Sequence, residues 1–189
     1  MFEKEDLKNA LQVLRNGGVI LYPTDTVWGL GCDATNADAV KRIFEIKQRV
    51  DSKSMLVLME NPNMLSAYIK EVPEVAWELI EVTDKPLTII YPGAKNFAPN
   101  LIGEDGTIGI RITTETFTEH LIQQFRRPIV STSANLSGKP SPQNFDQIGE
   151  EILTAVDYVV QYRQDETAKS KPSSIIKLGL GGQIQIIRP

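Results

Sequence analysis

The sequence has few of the residues on which metal, redox and nucleophilic catalysis depend. Its 189 residues include one cysteine, Cys32, and one histidine, His120. This composition excludes an internal disulfide and a zinc site built from cysteine and histidine, and it leaves His120 as the one histidine that a Ser/His/Asp or Cys/His triad could use. We expect Cys32 to be a small buried residue and His120 to be a surface residue of an amphipathic helix. Any chemistry must therefore rely on positioning and charge neutralisation, which fits phosphoryl and nucleotidyl transfer.

Long apolar runs and an excess of positive charge are also missing. No apolar run approaches the roughly 18 residues that a membrane helix needs. The first residues, MFEKEDLKNA, contain no apolar segment typical of a signal peptide. A formal net charge of −4 argues against a general nucleic-acid coat. We therefore expect a cytoplasmic protein with no membrane segment, and its length fits a single domain over residues 1–189.

Hydrophobic periodicity predicts an α/β fold with a mixed sheet, because helices alternate with strands at first and strands cluster at the end. Helical patterns are predicted near residues 7–14, 36–48, 62–70, 74–82, 114–126 and, more weakly, 145–155. Strands are predicted at 19–23, 54–59, 86–92, 107–112, from 128, and in three further runs after residue 156. The polar stretch at 163–174 is too short for a domain linker, and we interpret it as a flap over the sheet.

Three polar segments follow or interrupt these elements. YPTDTVWGLGCDA (22–34) places Thr24, Asp25 and Thr26 at a strand end, where ligands of α/β sheets bind. Its Gly-x-Gly does not open a helix directly, so we reject a dinucleotide-binding turn. KQRVDSK (47–53) is rich in cations and indicates either a phosphate clamp or charges that complement a helix end. In PIVSTSANLSGKPSP (128–142), alternate serines would face one side of a strand.

In their order and spacing these motifs, together with KRIFEIKQR, IGIRI and QIIRP, resemble the YrdC-like family across residues 7–189. The resemblance implies a twisted mixed sheet with flanking helices that enclose a large concave, basic cavity. It also implies a reaction: L-threonine, bicarbonate or CO2, and ATP give threonylcarbamoyl-AMP and pyrophosphate. A tRNA threonylcarbamoyl transferase complex would then modify the adenosine at position 37 of tRNAs that read codons beginning with A. Mg²⁺ would enter with ATP and be held mainly by that substrate.

The resemblance also assigns residues to the two substrates. The nucleotide phosphates would be surrounded by a signature set: Lys47, Arg49, Ser133 and Asn135. Further ATP contacts would come from Lys53, Ser141 and Arg188. Threonine would be bound by Thr26, Arg111, Ser131 and Ser173. Arg111 would hold the threonine carboxylate, and no residue is expected to bind a metal directly.

Two alternatives to the synthase remain open from the sequence. One is a non-catalytic paralogue that binds nucleotide or double-stranded RNA, with any RNA binding weak because the chain is acidic. The other is a relative that forms a carbamoyl adenylate from carbamoyl phosphate. That second activity normally occurs in a much longer chain with zinc-finger-like cysteines, which the single cysteine disfavours.

Overall fold

Helices and strands follow one another along the chain largely as the periodicity predicts. The computed structural model describes residues 2–48, 55–169 and 171–189. Its α-helices are α1 (Lys4–Arg15), α2 (Ala37–Ile46), α3 (Leu65–Tyr68), α4 (Glu74–Val82), α5 (Thr116–Phe125) and α6 (Glu150–Leu153). Its strands are β1 (Ile20–Tyr22), β2 (Gly29–Gly31), β3 (Leu56–Met59), β4 (Leu87–Tyr91), β5 (Ile108–Ile112), β6 (Ile129–Ser133), β7 (Tyr158–Val159), β8 (Ser174–Leu178) and β9 (Ile184–Arg188). Short 3-10 turns occupy Pro62–Met64 and Phe145–Gln147.

The strands form one sheet in the order β7-β1-β2-β6-β3-β5-β4-β8-β9. Parallel pairs join β1 to β7, β3 to β5 and β4 to β8, whereas the other neighbours are antiparallel. The mixed sheet that the sequence predicts is therefore confirmed. The central strands β6, β3 and β5 come from distant parts of the chain, so the sheet brings together segments that the sequence analysis selected separately.

Each face of the sheet is covered by its own apolar core. Along β3, Val57 packs with the core that includes α2, whereas its neighbour Leu58 packs with the core of α1 and α5. The same alternation separates Val130 from Ile129 on β6. Alternate side chains of a strand point to opposite faces, which explains why these nearly continuous apolar runs serve two cores. In the part of the chain that the structure describes, no helix has both the length and the hydropathy needed to cross a bilayer.

One strand was not predicted and one helix needs correction. No element was predicted at residues 29–31, but Gly29–Gly31 forms strand β2 between β1 and β6. A Cβ at Gly31 would lie 2.5 Å from Cε1 of Tyr22, so this strand fits only because it has glycine there. The helix expected at 145–155 is interrupted: Ile148 and Gly149 are extended, and α6 begins only at Glu150.

Candidate active site

A cavity of about 350 Å³ lies on one face of the sheet. Helices α1 and α5 pack on the same face, next to the cavity. Seven of the residues that the sequence analysis selected line it: Thr26, Arg111, Ser131, Ser133, Ser141, Ser173 and Arg188. Lys47 and Asn135 lie directly behind this lining, as described below. Arg49 and Lys53 fall outside the described residues. The seven lining residues come from five separate segments of the chain.

The strand register gives the cavity floor an order. Leu56 of β3 lies beside Ser131 of β6 on one side and Gly109 of β5 on the other. Arg111 lies two residues further along β5, and Ser133 lies two residues further along β6. Because β6 runs antiparallel to β3 and β3 parallel to β5, Arg111 and Ser133 extend from the shared row in opposite directions. The floor therefore has an Arg111 end, a middle row and a Ser133 end.

At the Arg111 end, a buried ion pair fixes the guanidinium. Arg111 donates from Nε to Oδ1 of Asp25 at 3.0 Å, and its Nη2 lies 2.9 Å from the same oxygen. Nη2 also donates to Oγ1 of Thr26 at 3.1 Å. The side chains of Arg111 and Asp25 are only 3% and 5% exposed. Among the described residues, Nη1 makes no hydrogen bond, so this nitrogen of a cavity-lining arginine can donate to a ligand anion.

The turn between β1 and β2 presents Asp25 and Thr26 to Arg111. The backbone N–H of Thr26 donates to Oγ1 of Thr24 at 3.0 Å, and that hydroxyl donates to the carbonyl of Val27 at 2.8 Å. Such a local side-chain turn replaces regular backbone pairing and holds the segment in one shape. Arg163 adds a further link, because its Nη1 donates to the carbonyl of Thr24 at 3.2 Å. These hydrogen bonds hold Asp25 and Thr26 in the positions where they contact Arg111.

Hydroxyl groups extend the floor from Arg111 toward β4 and β8. Thr88 and Ser173 share a hydrogen bond of 2.8 Å between their hydroxyl oxygens, and both residues are buried. The carbonyl of Ser173 accepts a hydrogen bond of 2.8 Å from Nε of Arg188. Pro172 also lines the cavity, so the end of the stretch predicted as a flap is part of the wall. Closure of that flap stays a prediction.

At the other end, Lys47 organises the serine-rich turn after β6. Lys47 follows α2, is 2% exposed, and donates from Nζ to the carbonyls of Ser133 at 2.6 Å and Asn135 at 2.7 Å. Asn135 in turn donates from Nδ2 to the carbonyl of Lys139 at 2.6 Å. A cation is thus buried directly under Ser133, and three of the four signature residues lie together. Arg49, the fourth, is outside the described residues.

The electrostatics of the cavity favour an anionic ligand. Partial burial and the nearby charge of Arg111 together lower the pKa of Arg188 from its usual value. The lowered pKa indicates that neighbouring groups do not fully balance the positive charge of Arg188. An anion placed between Arg188 and Arg111 would balance it. No Asp or Glu is among the described lining residues. The basic cavity that the family resemblance implies stays a prediction, and two of the cations assigned to it, Arg49 and Lys53, lie outside the described residues.

Neither of the residues that the sequence analysis set aside lines the cavity. Cys32 is fully buried, and this burial raises the pKa of its thiol, so the thiolate form is disfavoured. His120 is exposed on α5, where its Nδ1 lies 2.7 Å from the carbonyl of Thr116. Both expectations are confirmed.

Two residues of the site were not selected from the sequence. Asp25 was noted only as part of a polar strand end, although its partner Arg111 is itself a selected residue. Thr88 was not noticed, but it is the one polar residue between Leu87 and Ile90 in an otherwise apolar strand. An isolated hydroxyl in a buried strand needs a hydrogen-bond partner, and that requirement was the available signal.

Comparison with known proteins identifies the family. The model of the Sua5/YciO/YrdC family, described as "Telomere recombination", matches residues 12–189. A protein of Pseudoalteromonas translucida named threonylcarbamoyl-AMP synthase is 32% identical over 187 residues, covering 97% of this chain and 98% of its own.

Solved structures agree with this assignment. P. abyssi Sua5 complexed with L-threonine superposes with a TM-score of 0.84 at 29% identity, covering 94% of this chain and 52% of that one. The chain therefore spans about half of that archaeal protein. E. coli YciO superposes with a TM-score of 0.84 at 27% identity, covering 98% of this chain and 89% of its own. The family match over most of the length and the shared fold show that the chain belongs to the Sua5/YciO/YrdC family.

Proposed function

We propose that the protein is a threonylcarbamoyl-AMP synthase, a nucleotidyltransferase that joins L-threonine, bicarbonate or CO2, and ATP. The observation that carries this proposal is a single cavity with two different ends. One end presents a buried arginine held by Asp25 and Thr26, and the other presents hydroxyls above a buried lysine. The name of the bacterial relative, which aligns over nearly its whole length, supports the same activity.

The amino acid is proposed to bind at the Arg111 end. Its carboxylate would accept hydrogen bonds from Nη1 of Arg111, because Nε and Nη2 are already engaged by Asp25 and Thr26. Hydroxyls of Ser131 and Ser173 line the same region and can bond the polar groups of threonine. The crystal structure of P. abyssi Sua5 is a complex with L-threonine, so a relative with the same fold binds this amino acid, which supports the assignment.

ATP is proposed to bind with its phosphates at the Ser133 end. Ser133 and Ser141 line the cavity, while Lys47 and Asn135 fix the turn that carries Ser133. Arg188 also lines the cavity, beside Ser173, and is assigned to ATP by the family resemblance. Arg49 and Lys53 are assigned to the same phosphates by the family resemblance. Neutral donors and fixed cations together match an anionic, oxygen-rich ligand.

The proposed reaction needs no protein nucleophile. The amino nitrogen of threonine combines with CO2 and releases a proton, which forms a carbamate. A carbamate oxygen then attacks the α-phosphorus of ATP, the bond from that phosphorus to the bridging oxygen breaks, and pyrophosphate leaves. Two anions approach each other in this step, so fixed positive charge and correct placement lower the barrier most.

Magnesium and the cellular partners complete the proposal. Among the described residues no group of three or more His, Cys, Asp or Glu side chains could hold a metal ion, and the side-chain oxygens that line the cavity belong to Ser and Thr hydroxyls. These residues fit Mg²⁺ that arrives on the ATP phosphates and neutralises their charge. The product would pass to the tRNA threonylcarbamoyl transferase complex in the cytoplasm. Any RNA binding by the acidic chain would be weak and steeply salt-dependent.

Threonine-dependent release of pyrophosphate tests the proposal. The protein is incubated with ATP, Mg²⁺ and bicarbonate, with threonine, serine or neither, and pyrophosphate is measured. We expect release that requires threonine and bicarbonate. Arg111→Lys keeps the charge but removes the fork, and we expect the KM for threonine to rise by about tenfold or more. Pyrophosphate release that does not depend on an added amino acid would contradict the proposal.

A further inference from the structure

A glycine occupies the middle row of the cavity floor. Gly109 lies inside β5, where glycine weakens a strand because it has no side chain to pack. Its backbone is not in the left-handed region, so its conformation does not require glycine. Gly109 is also one of the cavity-lining residues. A glycine that the backbone does not need, placed where a ligand can approach, calls for a different explanation.

Packing does not require this glycine either. A Cβ at position 109 would lie 3.4 Å from Cβ of Leu56 and 3.4 Å from Cγ2 of Thr88, which are ordinary van der Waals contacts. Gly31 differs, because a Cβ there would lie 2.5 Å from Cε1 of Tyr22. An alanine is therefore tolerated by the neighbours of Gly109 but not by those of Gly31. At Gly109 the added methyl would occupy cavity space.

The position of that space is fixed by the strand register. Gly109 is in the row of Leu56, between the Arg111 end and the Ser133 end. Each step of two residues along a strand covers about 7 Å. A ligand held by Arg111 and a ligand held at Ser133 therefore meet over Gly109. In the proposed reaction the groups that meet are the carbamate and the α-phosphate.

We propose that Gly109 keeps open the space in which the carbamate oxygen bonds to the α-phosphorus. This inference rests on the proposed function. In the adenylate product, the α-carbon, the nitrogen, the carbamate carbon and its oxygen connect the threonine carboxylate to the phosphorus, and these atoms would cross the floor at Gly109. A methyl group there obstructs the approach of the two ligands to each other, whereas each ligand alone keeps its own end of the cavity.

Gly109→Ala tests the inference through three measurements on the whole chain. Thermal unfolding reports folding, and calorimetry reports the binding of L-threonine and of the α,β-methylene analogue of ATP, separately and together. Pyrophosphate release reports turnover. We expect a melting temperature that is unchanged or slightly raised, because alanine suits a strand better than glycine. Each ligand alone should bind with an affinity within about threefold of that of the native protein. When one ligand is already bound, the other should bind at least about tenfold more weakly than it does to the native protein, and turnover should fall about 100-fold. Gly31→Ala is the comparison for a structural glycine and should lower the melting temperature.

The outcomes separate this inference from the proposed function. If the native protein shows no threonine-dependent turnover, the proposed function is overturned. The inference about Gly109 is still tested in that case, because calorimetry shows whether Gly109→Ala weakens the binding of one ligand in the presence of the other. A folded Gly109→Ala variant with native turnover and native joint binding overturns the inference alone. Loss of threonine binding by itself would place Gly109 within the amino-acid end and also overturn it. A variant that unfolds would show that packing requires the glycine, which contradicts the inference as well.

Discussion

Replacement of Lys47 by methionine should destabilise the fold through a specific pair of hydrogen bonds. Methionine has a similar length and no charge, so Lys47→Met removes the ammonium group while filling most of its space. In the native chain this group donates to the carbonyls of Ser133 and Asn135. Lys47 is 2% exposed, so the hydrogen bonds are shielded from solvent on the side of the lysine.

The expected cost follows from these contacts. A hydrogen bond from a charged donor contributes about 1.5–3 kcal/mol, so two contribute about 3–6 kcal/mol. Ser133 and Asn135 are only partly buried, and water can satisfy their carbonyls in the variant. We therefore expect a loss near the lower bound, about 3 kcal/mol in the free energy of unfolding. For a chain of this size, such a loss lowers the melting temperature by about 6–12 °C.

Thermal unfolding followed by circular dichroism measures this cost, and Lys41→Met is the matched control. Lys41 is on α2, the helix that Lys47 follows, with its side chain 71% exposed, and its Nζ lies 3.9 Å from the carboxylate of Glu45. A surface pair of this kind contributes less than about 0.5 kcal/mol, so the control should melt close to the native protein. If Lys47→Met melts within about 2 °C of the native protein, the two hydrogen bonds do not stabilise the turn and the reasoning is refuted.

Other substitutions test the ion pair and the pH dependence. Asp25→Ala leaves the Arg111 guanidinium buried without its carboxylate and should cost about 3–5 kcal/mol in urea unfolding; a cost below about 1 kcal/mol would contradict the buried pair. Hydrogen bonds from Lys177, first, and from Thr107 lower the pKa of Asp105 to about 2, so the stability that this carboxylate contributes is present above the ordinary pKa of 3.8 and lost as pH falls toward 2. Lys177→Met should reduce that acid-side loss, in which the exposed pair accounts for under about 1 kcal/mol; an unchanged pH profile would oppose this. Burial raises the pKa of Glu115, so its contribution has the opposite sign and is lost as pH rises through the raised value. Glu115→Gln should therefore melt higher relative to the native protein at pH 7 than at pH 4, and an equal difference at both would refute the sign.

The periodicity of the sequence is sufficient for most elements but fails where packing overrides propensity. The sequence Gly-Leu-Gly has no β-branched or aromatic residue, yet it forms β2 because a narrow strand fits beside Tyr22. The helix expected at 145–155 starts late because Gly149 is extended and marks its N-terminal boundary. The unpredicted strand and the shortened helix both involve glycine, whose effect depends on what lies opposite its missing side chain.

The composition of the site was predictable, whereas the contacts of its charged residues were not. The motifs located Arg111, Ser131 and Ser133 in strands whose register places them on one floor. The pairing of Arg111 with Asp25 joins residues that are 86 positions apart, and no spacing rule indicates it. Lys47 was grouped with the phosphate contacts, but its hydrogen bonds to backbone carbonyls appear only in three dimensions. Local pattern identifies which residues are available, and the fold decides which of them meet.

The most direct test of the central claim is the mass of the product formed from carbon-13 bicarbonate. The protein is incubated with ATP, Mg²⁺, L-threonine and labelled bicarbonate, and the nucleotides are separated at once and analysed by mass spectrometry. The two-ended cavity predicts an adenylate that contains both threonine and the labelled carbon. It also predicts that Arg111→Lys forms less of this adenylate at low threonine concentration. An active, folded preparation that converts ATP without incorporating the label would contradict the account.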